Sequence, residues 1–353
     1  MLRGGRNTFI IRHAIYDTSL DLENLLGDDG GRSRVNAAFF VYQRDPEGKS
    51  GVAQLLSPSS LAHCELCPRR CGANRAAGTR GVCGADATLK IARAALHFWE
   101  EPPISGERGS GTVFFSSCPL KCRYCQNHEI STGGFGIEVT PGRLVEIMLE
   151  LQEQGAHNIN LVTPSHYTRQ IAEALSGLEL GIPVVWNSSG YECVETLRML
   201  DGLVQVYLPD LKYALSEPAA RYSAAADYPQ VARAAILEMY RQTGPFRLDE
   251  DGMLQRGVLI RHLILPQQGE NTRRVIDWVG QTFAPGQVLF SLMSQYTPCH
   301  RSSDFPGLNR RITTYEYNRV VDTALELGLT HGFMQQKSSA KEEYRPPFDL
   351  EGL

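Results

Sequence analysis

The sequence predicts an α/β protein: a partial (β/α)6 barrel of the TIM type, preceded by a small N-terminal Cys-rich metal module. Between residues 110 and 335, six short runs of β-branched and apolar residues alternate with amphipathic helical patterns. Polar residues gather at the ends of several of these runs, as on the working face of a barrel. Seven of the nine cysteines fall into two tight groups, Cys64, Cys67, Cys71, Cys83 and then Cys118, Cys122, Cys125. Such clustering marks metal ligands rather than disulfides. A doubly wound sheet also accommodates six units, but no G-x-G-x-x-G follows a strand here.

The elements follow in chain order. Residues 1–60 read as a poorly structured extension in which "AAFFVY" is one candidate strand. Residues 61–109 form the metal module, where ligands rather than a hydrophobic core would hold the backbone. Residues 110–335 form the barrel and 336–353 a tail. The first strand is "TVFFS" (112–116); after the cysteine loop, Thr140 and Pro141 cap a helix with Leu144, Ile147, Met148 and Leu151 on one face. "INLVT" (159–163) precedes a helix from about 168, and "IPVVWN" (182–187) one near 193. "LVQVYL" (203–208) leads into helical sequence reaching about 242. "GVLIRHLIL" (257–265) precedes a helix from about 271, and "QVLFSLM" (287–293) one carrying Tyr317, Val320, Val321 and Ala324.

Composition narrows the function classes. Across 353 residues the net charge is −4, with 42% hydrophobic and 21% charged residues, which fits a globular protein and gives no basic surface for nucleic acid. No apolar run approaches the roughly 20 residues needed to span a bilayer. The first thirty residues lack the apolar segment of an export signal, so the expected location is cytoplasmic, with no membrane partner.

The stretch "FFSSCPLKCRYCQNHEIS" (114–131) spaces its cysteines C-x3-C-x2-C. Soft thiolates at short spacing select zinc, copper(I) or iron–sulfur clusters. Zinc would recruit His128 as a fourth ligand, whereas a 4Fe-4S cluster on three cysteines leaves one iron open to substrate. The upstream pattern C-x2-C-x3-C-x11-C serves a second iron–sulfur cluster or zinc, and Arg69, Arg70, Arg75 and Arg80 surround it with positive charge. Electron relay and a purely structural scaffold are both open for that module. Cys193 and Cys299 stand alone in the sequence.

The three-cysteine spacing, with Tyr124 just before the last cysteine, resembles the motif of the radical S-adenosylmethionine (SAM) superfamily. "NSSGYE" (187–192), "YLPDLKY" (207–213) and "IRHLILP" (260–266) resemble strand-end segments of pyruvate formate-lyase-activating enzymes. With "CELCPRRCG", "ALHFWEEPPISG", "NINLVTP" and "SLMSQY", the chain resembles the PflX-like branch. The resemblance implies a radical SAM core barrel with a 4Fe-4S cluster on Cys118, Cys122 and Cys125. It implies SAM on the open iron and a 5'-deoxyadenosyl radical that abstracts hydrogen, as in a glycyl-radical-enzyme activase.

Asn187, Ser188, Asp210, Lys212, Arg261 and His262 match segments the family places near SAM. The family's Gly-Gly-Glu motif is missing; "VTPSHY" stands there, offering Thr163, Ser165 or His166 for the same contact. Plainer roles compete: an ion pair for Asp210 and Lys212, a turn for Asn187 and Ser188, a structural histidine for His262. A flavodoxin- or ferredoxin-type reductant and a protein substrate, a glycyl radical enzyme, are the partners implied. Radical modification of a small molecule or other peptide residue, and a non-catalytic electron-transfer or metal-binding role, are the alternative functions.

Overall fold

A computed structural model of the chain describes residues 8–10, 61–327, 332–335 and 346–353. Eleven strands are found among them: β1 Thr8–Ile10, β2 Leu89–His97, β3 Ser110–Phe115, β4 Ile137–Val139, β5 Ile159–Val162, β6 Val184–Ser188, β7 Val206–Pro209, β8 Arg247–Leu248, β9 Leu254–Leu263, β10 Leu289–Met293 and β11 Gly332–Gln335. They form one sheet in the order β1-β11-β10-β9-β7-β6-β5-β3-β2-β4, with β8 paired on β9. The pairs β3–β5, β5–β6, β6–β7, β7–β9, β9–β10 and β10–β11 are all parallel. Helices fill the crossovers, so this is the partial α/β barrel that the alternating pattern predicts.

All six expected strands are present. A seventh parallel strand, β11, follows the last helix; its four residues are too few to show a period. Antiparallel β2 lies in the stretch assigned to the metal module, yet pairs along β3 from Ile91 to His97. Residues 89–97 of that stretch are therefore sheet. The candidate strand "AAFFVY" lies outside the described residues, as does most of the extension.

The first barrel helix begins where its cap predicts. Thr140 accepts a hydrogen bond from the Arg143 N–H, Pro141 opens Pro141–Glu153, and Leu144, Ile147, Met148 and Leu151 are buried. The long helical region divides into Ser216–Ser223 and Tyr228–Thr243, and the last helix, Thr314–Glu326, starts on a reciprocal Thr313–Glu316 capping box.

Strand side chains alternate between two buried faces. Val184, Trp186, Tyr207, Val258, Ile260, Phe290 and Leu292 pack outward into the helix layer. Val185, Val206, Leu208, Leu259 and Leu289 point into the barrel, where Ile104 joins them and closes its floor. Ile104 belongs to the short helix Pro102–Ser105, started by Pro102 and Pro103. This turn carries the preceding Glu100 and Glu101 into the barrel.

Candidate active site in the barrel

Above the apolar floor the barrel interior is polar. The Arg261 guanidinium is its hub. It donates to Glu100 at 2.9 Å, to Asp210 at 3.0 Å and to Asn187 at 2.6 Å, and stands 3.8 Å from Glu101. Glu100 also accepts from the Asn187 amide at 3.0 Å, and Lys212 pairs with Asp210 at 2.5 Å. These side chains are largely buried, Arg261 at 13% exposure. Burial opposes the charge on Asp210, but Lys212 and Arg261 outweigh it and hold the carboxyl below its usual range. Glu101 is pushed up to about 7, chiefly by burial, with Arg261 opposing. Its Oε2, like Asn160 Oδ1 and Ser291 Oγ, is a buried polar atom without a hydrogen-bond partner.

Strand phase sorts the sequence-predicted residues. Asn187, Asp210, Lys212 and Arg261 face the barrel interior together. One position on, Ser188 turns outward and donates to buried Glu192 at 2.6 Å, which also accepts from Trp186 Nε1 at 2.8 Å. Ser165 bonds the same carboxylate. His262 is likewise outward, with Nδ1 on the Leu211 carbonyl at 2.7 Å and Nε2 on Thr272 at 2.9 Å; burial lowers its pKa to about 4. His166 bonds the Ser116 carbonyl at 2.8 Å and is lowered by burial to about 3. Ser188 and His262 thus face away from the barrel interior, because a one-residue step on a strand changes the face, while Ser165 and His166 lie on the short 3-10 turn Ser165–Tyr167 that follows β5. Thr163 follows the end of β5 at φ 59°, its N–H bonded to the Asn187 carbonyl.

The three-cysteine loop follows β3 at the rim. Cys118 is 9% exposed; burial first, then Cys122 and Cys125, push its thiol up to about 12. Ser223 Oγ donates to Cys122 Sγ at 3.0 Å, and Ser131 Oγ lies 3.2 Å from Cys125 Sγ. Behind Ser223 runs a buried hydroxyl chain, Tyr213 at 2.8 Å and Tyr124 a further 2.7 Å on. Burial raises the thiol pKa of both Cys122 and Cys125, and the nearby Lys212 ammonium opposes that rise. Three thiols gathered in a dry site, with hydroxyls and an ammonium directed at them, fit a group that takes them as thiolates. Among the described residues no three His, Cys, Asp or Glu side chains meet at the spacing of a single-ion site. His128 does not complete the set: its ring stacks on His300 at 4.8 Å. Both line a cavity of about 600 Å³ with Glu129, Thr132, Gly133, Phe135 and Phe348.

The upstream module docks against this loop. Arg69 donates to the carbonyls of Pro119 and Ala224 at 2.9 and 2.5 Å, and the Cys118 N–H reaches the Cys83 carbonyl at 3.4 Å. The two solitary cysteines lie close by: Cys193 Sγ stands 4.0 Å from the Glu65 carbonyl of the module, and Cys299 Sγ 3.2 Å from the Tyr124 carbonyl. Sequence reasoning missed Glu100 and Glu101 as site residues. Their signal was adjacent acids between aromatic residues and a double proline, an unusual place for two charges to be buried.

Residues 112–222 match the family model described as Radical SAM superfamily. The chain is 29% identical over 284 residues to the uncharacterized protein MJ0674 of Methanocaldococcus jannaschii, covering 78% of each. Two solved structures are similar at a TM-score of 0.42: Streptococcus suis SuiB bound to precursor peptide SuiA (12% identity, 62% of this chain and 46% of that one) and HydG, a maturase of the [FeFe]-hydrogenase (15%, 64% and 52%). The chain thus spans about half the length of each of those structures. No helix among the described residues is long and apolar enough to cross a membrane. The stretch that matches the Radical SAM superfamily model, residues 112–222, holds the three cysteines at the rim of the mostly parallel α/β barrel, and that superfamily implies a 4Fe-4S cluster and SAM.

Proposed function

We propose that the protein is a radical SAM enzyme of the activating-enzyme type, with Cys118, Cys122 and Cys125 as the cluster ligands and the barrel interior as the SAM site. The cluster those three cysteines would hold would supply the single electron needed to cleave SAM to methionine and a 5'-deoxyadenosyl radical for hydrogen abstraction. The carrying observation is the convergence of Asn187, Asp210, Lys212 and Arg261 below the three thiols. Lys212 and the Ser223 and Ser131 hydroxyls stabilise thiolate charge. The buried carboxylates favour a cationic ligand, and the apolar floor with Ile104 excludes water from below.

A flavodoxin- or ferredoxin-type protein is the proposed reductant, and a glycyl radical enzyme the proposed substrate. The cavity beside His128 and Phe348 supports a second reading, a small-molecule substrate, since about 600 Å³ lies within the usual range for such sites. The test is anaerobic incubation of reconstituted, reduced protein with SAM, with 5'-deoxyadenosine quantified by chromatography. Formation by the wild type and loss in Cys118→Ala support the reading; no formation by the wild type contradicts it. Deuterium carried into 5'-deoxyadenosine from a labelled glycyl-enzyme peptide or a labelled small molecule then separates the two substrates.

A further inference from the structure

We infer that Cys64, Cys67, Cys71 and Cys83 hold a second iron–sulfur cluster, which relays single electrons to the three-cysteine loop through the contact of Cys83 with Cys118. The inference rests on the radical SAM reading for its acceptor, but the second site stands on its own observations.

The module is built to hold thiolates. Backbone N–H groups donate to its sulfurs: Arg69 to Cys67, Ala73 and Val82 to Cys71, and Ala85 to Cys83 at 3.4 Å. The Arg75 guanidinium, only 1% exposed, stands 3.8 Å from Cys64 Sγ and is locked there by the carbonyls of Asp86 and His166. A buried cation among four cysteines is sustained by negative charge on them, and metal-bound thiolates supply it. Gly81 passes between the ligands: a Cβ there would lie 3.1 Å from Cys71 Sγ and 3.5 Å from Cys83 Sγ. The backbone thus closes around the sulfurs.

Position argues for a redox role over a scaffold. Cys83 belongs to the same buried core as Cys118, and their backbones meet at 3.4 Å. Lys121 Nζ donates to the carbonyls of both, at 3.3 Å each. Cys71, by contrast, is only partly buried. One ligand therefore faces the surface, where a protein reductant can approach, and another abuts the loop. A low-potential carrier of the flavodoxin or ferredoxin class is oxidised by one electron. That electron reduces the second centre, which is reoxidised as the first cluster is reduced; no bond or proton changes place. Arg75 favours the reduced, more negative form of the second centre.

The experiment uses the anaerobically reconstituted full chain. Iron, sulfide and zinc are quantified in the wild type and in a Cys64→Ser/Cys67→Ser variant, and 5'-deoxyadenosine formation is driven either by dithionite or by reduced flavodoxin. Expected are roughly eight irons per wild-type chain and roughly four in the variant, as two four-iron clusters require. The variant should keep its dithionite-driven rate within about twofold and lose at least tenfold of the flavodoxin-driven one. Zinc in place of the second iron set overturns the proposal, and so do equal flavodoxin-driven rates. Should the variant not fold, the fully reduced wild type decides: two spin-coupled paramagnetic centres support the relay, and one isolated centre refutes it. Wild type inactive with both reductants would defeat the radical SAM reading, while the iron count would still decide the second site.

Discussion

Replacing Arg261 with Met keeps much of the side chain's length and removes the charge at the hub of the barrel network. Glu100, Glu101, Asn187 and Asp210 would lose their shared partner, and only Lys212 would remain to balance three acidic side chains. Charged hydrogen bonds contribute about 1.5–3 kcal/mol each, but the abandoned carboxyls can take up protons, which limits the loss. Breaking a buried ion pair costs about 3–5 kcal/mol, and that range applies here. A domain of this size unfolds with an entropy of about 0.6 kcal/mol/K, so Tm should fall by about 5–8 °C. The loss should be larger at pH 8 than at pH 6, because the stranded carboxylates are more fully ionised at the higher pH. Urea denaturation followed by circular dichroism measures it, alongside the Arg261→Met/Glu100→Gln/Glu101→Gln triple variant. Removing the unpaired charges should restore at least half of the stability. A single variant that loses less than about 1 kcal/mol, or a triple variant no more stable than the single, would refute the reasoning.

Three further outcomes follow from the geometry. His166 and His262 stay neutral in the fold, with pKa values of about 3 and about 4, whereas the unfolded chain protonates them near 6.5. Their contribution is complete above about pH 6.5 and lost as pH falls, by about 3 kcal/mol each at pH 4; urea titrations of His262→Gln should lose about half of that slope, the share that belongs to His262. Ser223→Ala removes the hydroxyl on Cys122 Sγ, a loss of about 1 kcal/mol that should lower the cluster's reduction potential by about 40 mV in a redox titration. Gly190, at φ 73°, would place a Cβ 2.3 Å from the Asp210 carbonyl. Gly190→Ala should therefore cost at least about 2 kcal/mol in denaturant and weaken SAM binding by calorimetry.

Most of the barrel was legible because parallel strands buried on both faces leave long β-branched and apolar runs, from "TVFFS" to "QVLFSLM". Strand β2 was not, since "LKIARAALH" mixes charge with alanine and follows a loop that its ligands dominate. The cysteine motif is local and could be read directly. Barrel-facing residues depend on phase, which one sequence leaves uncertain by a residue: Asn187 and Arg261 point in, while their neighbours Ser188 and His262 point out. Glu100 and Cys299 meet their partners across 161 and 175 positions of chain, a separation that no local pattern reveals.

The most direct test of the open-iron cluster is the paramagnetic resonance spectrum of the anaerobically reconstituted, reduced protein with and without SAM. It is recorded for the wild type and for a Cys118→Ala/Cys122→Ala/Cys125→Ala variant. The account predicts a 4Fe-4S signal in the wild type whose g-values shift when SAM is added, and no SAM-sensitive signal in the variant. A wild-type spectrum that SAM leaves unchanged, or zinc bound in place of iron at the three cysteines, would contradict it.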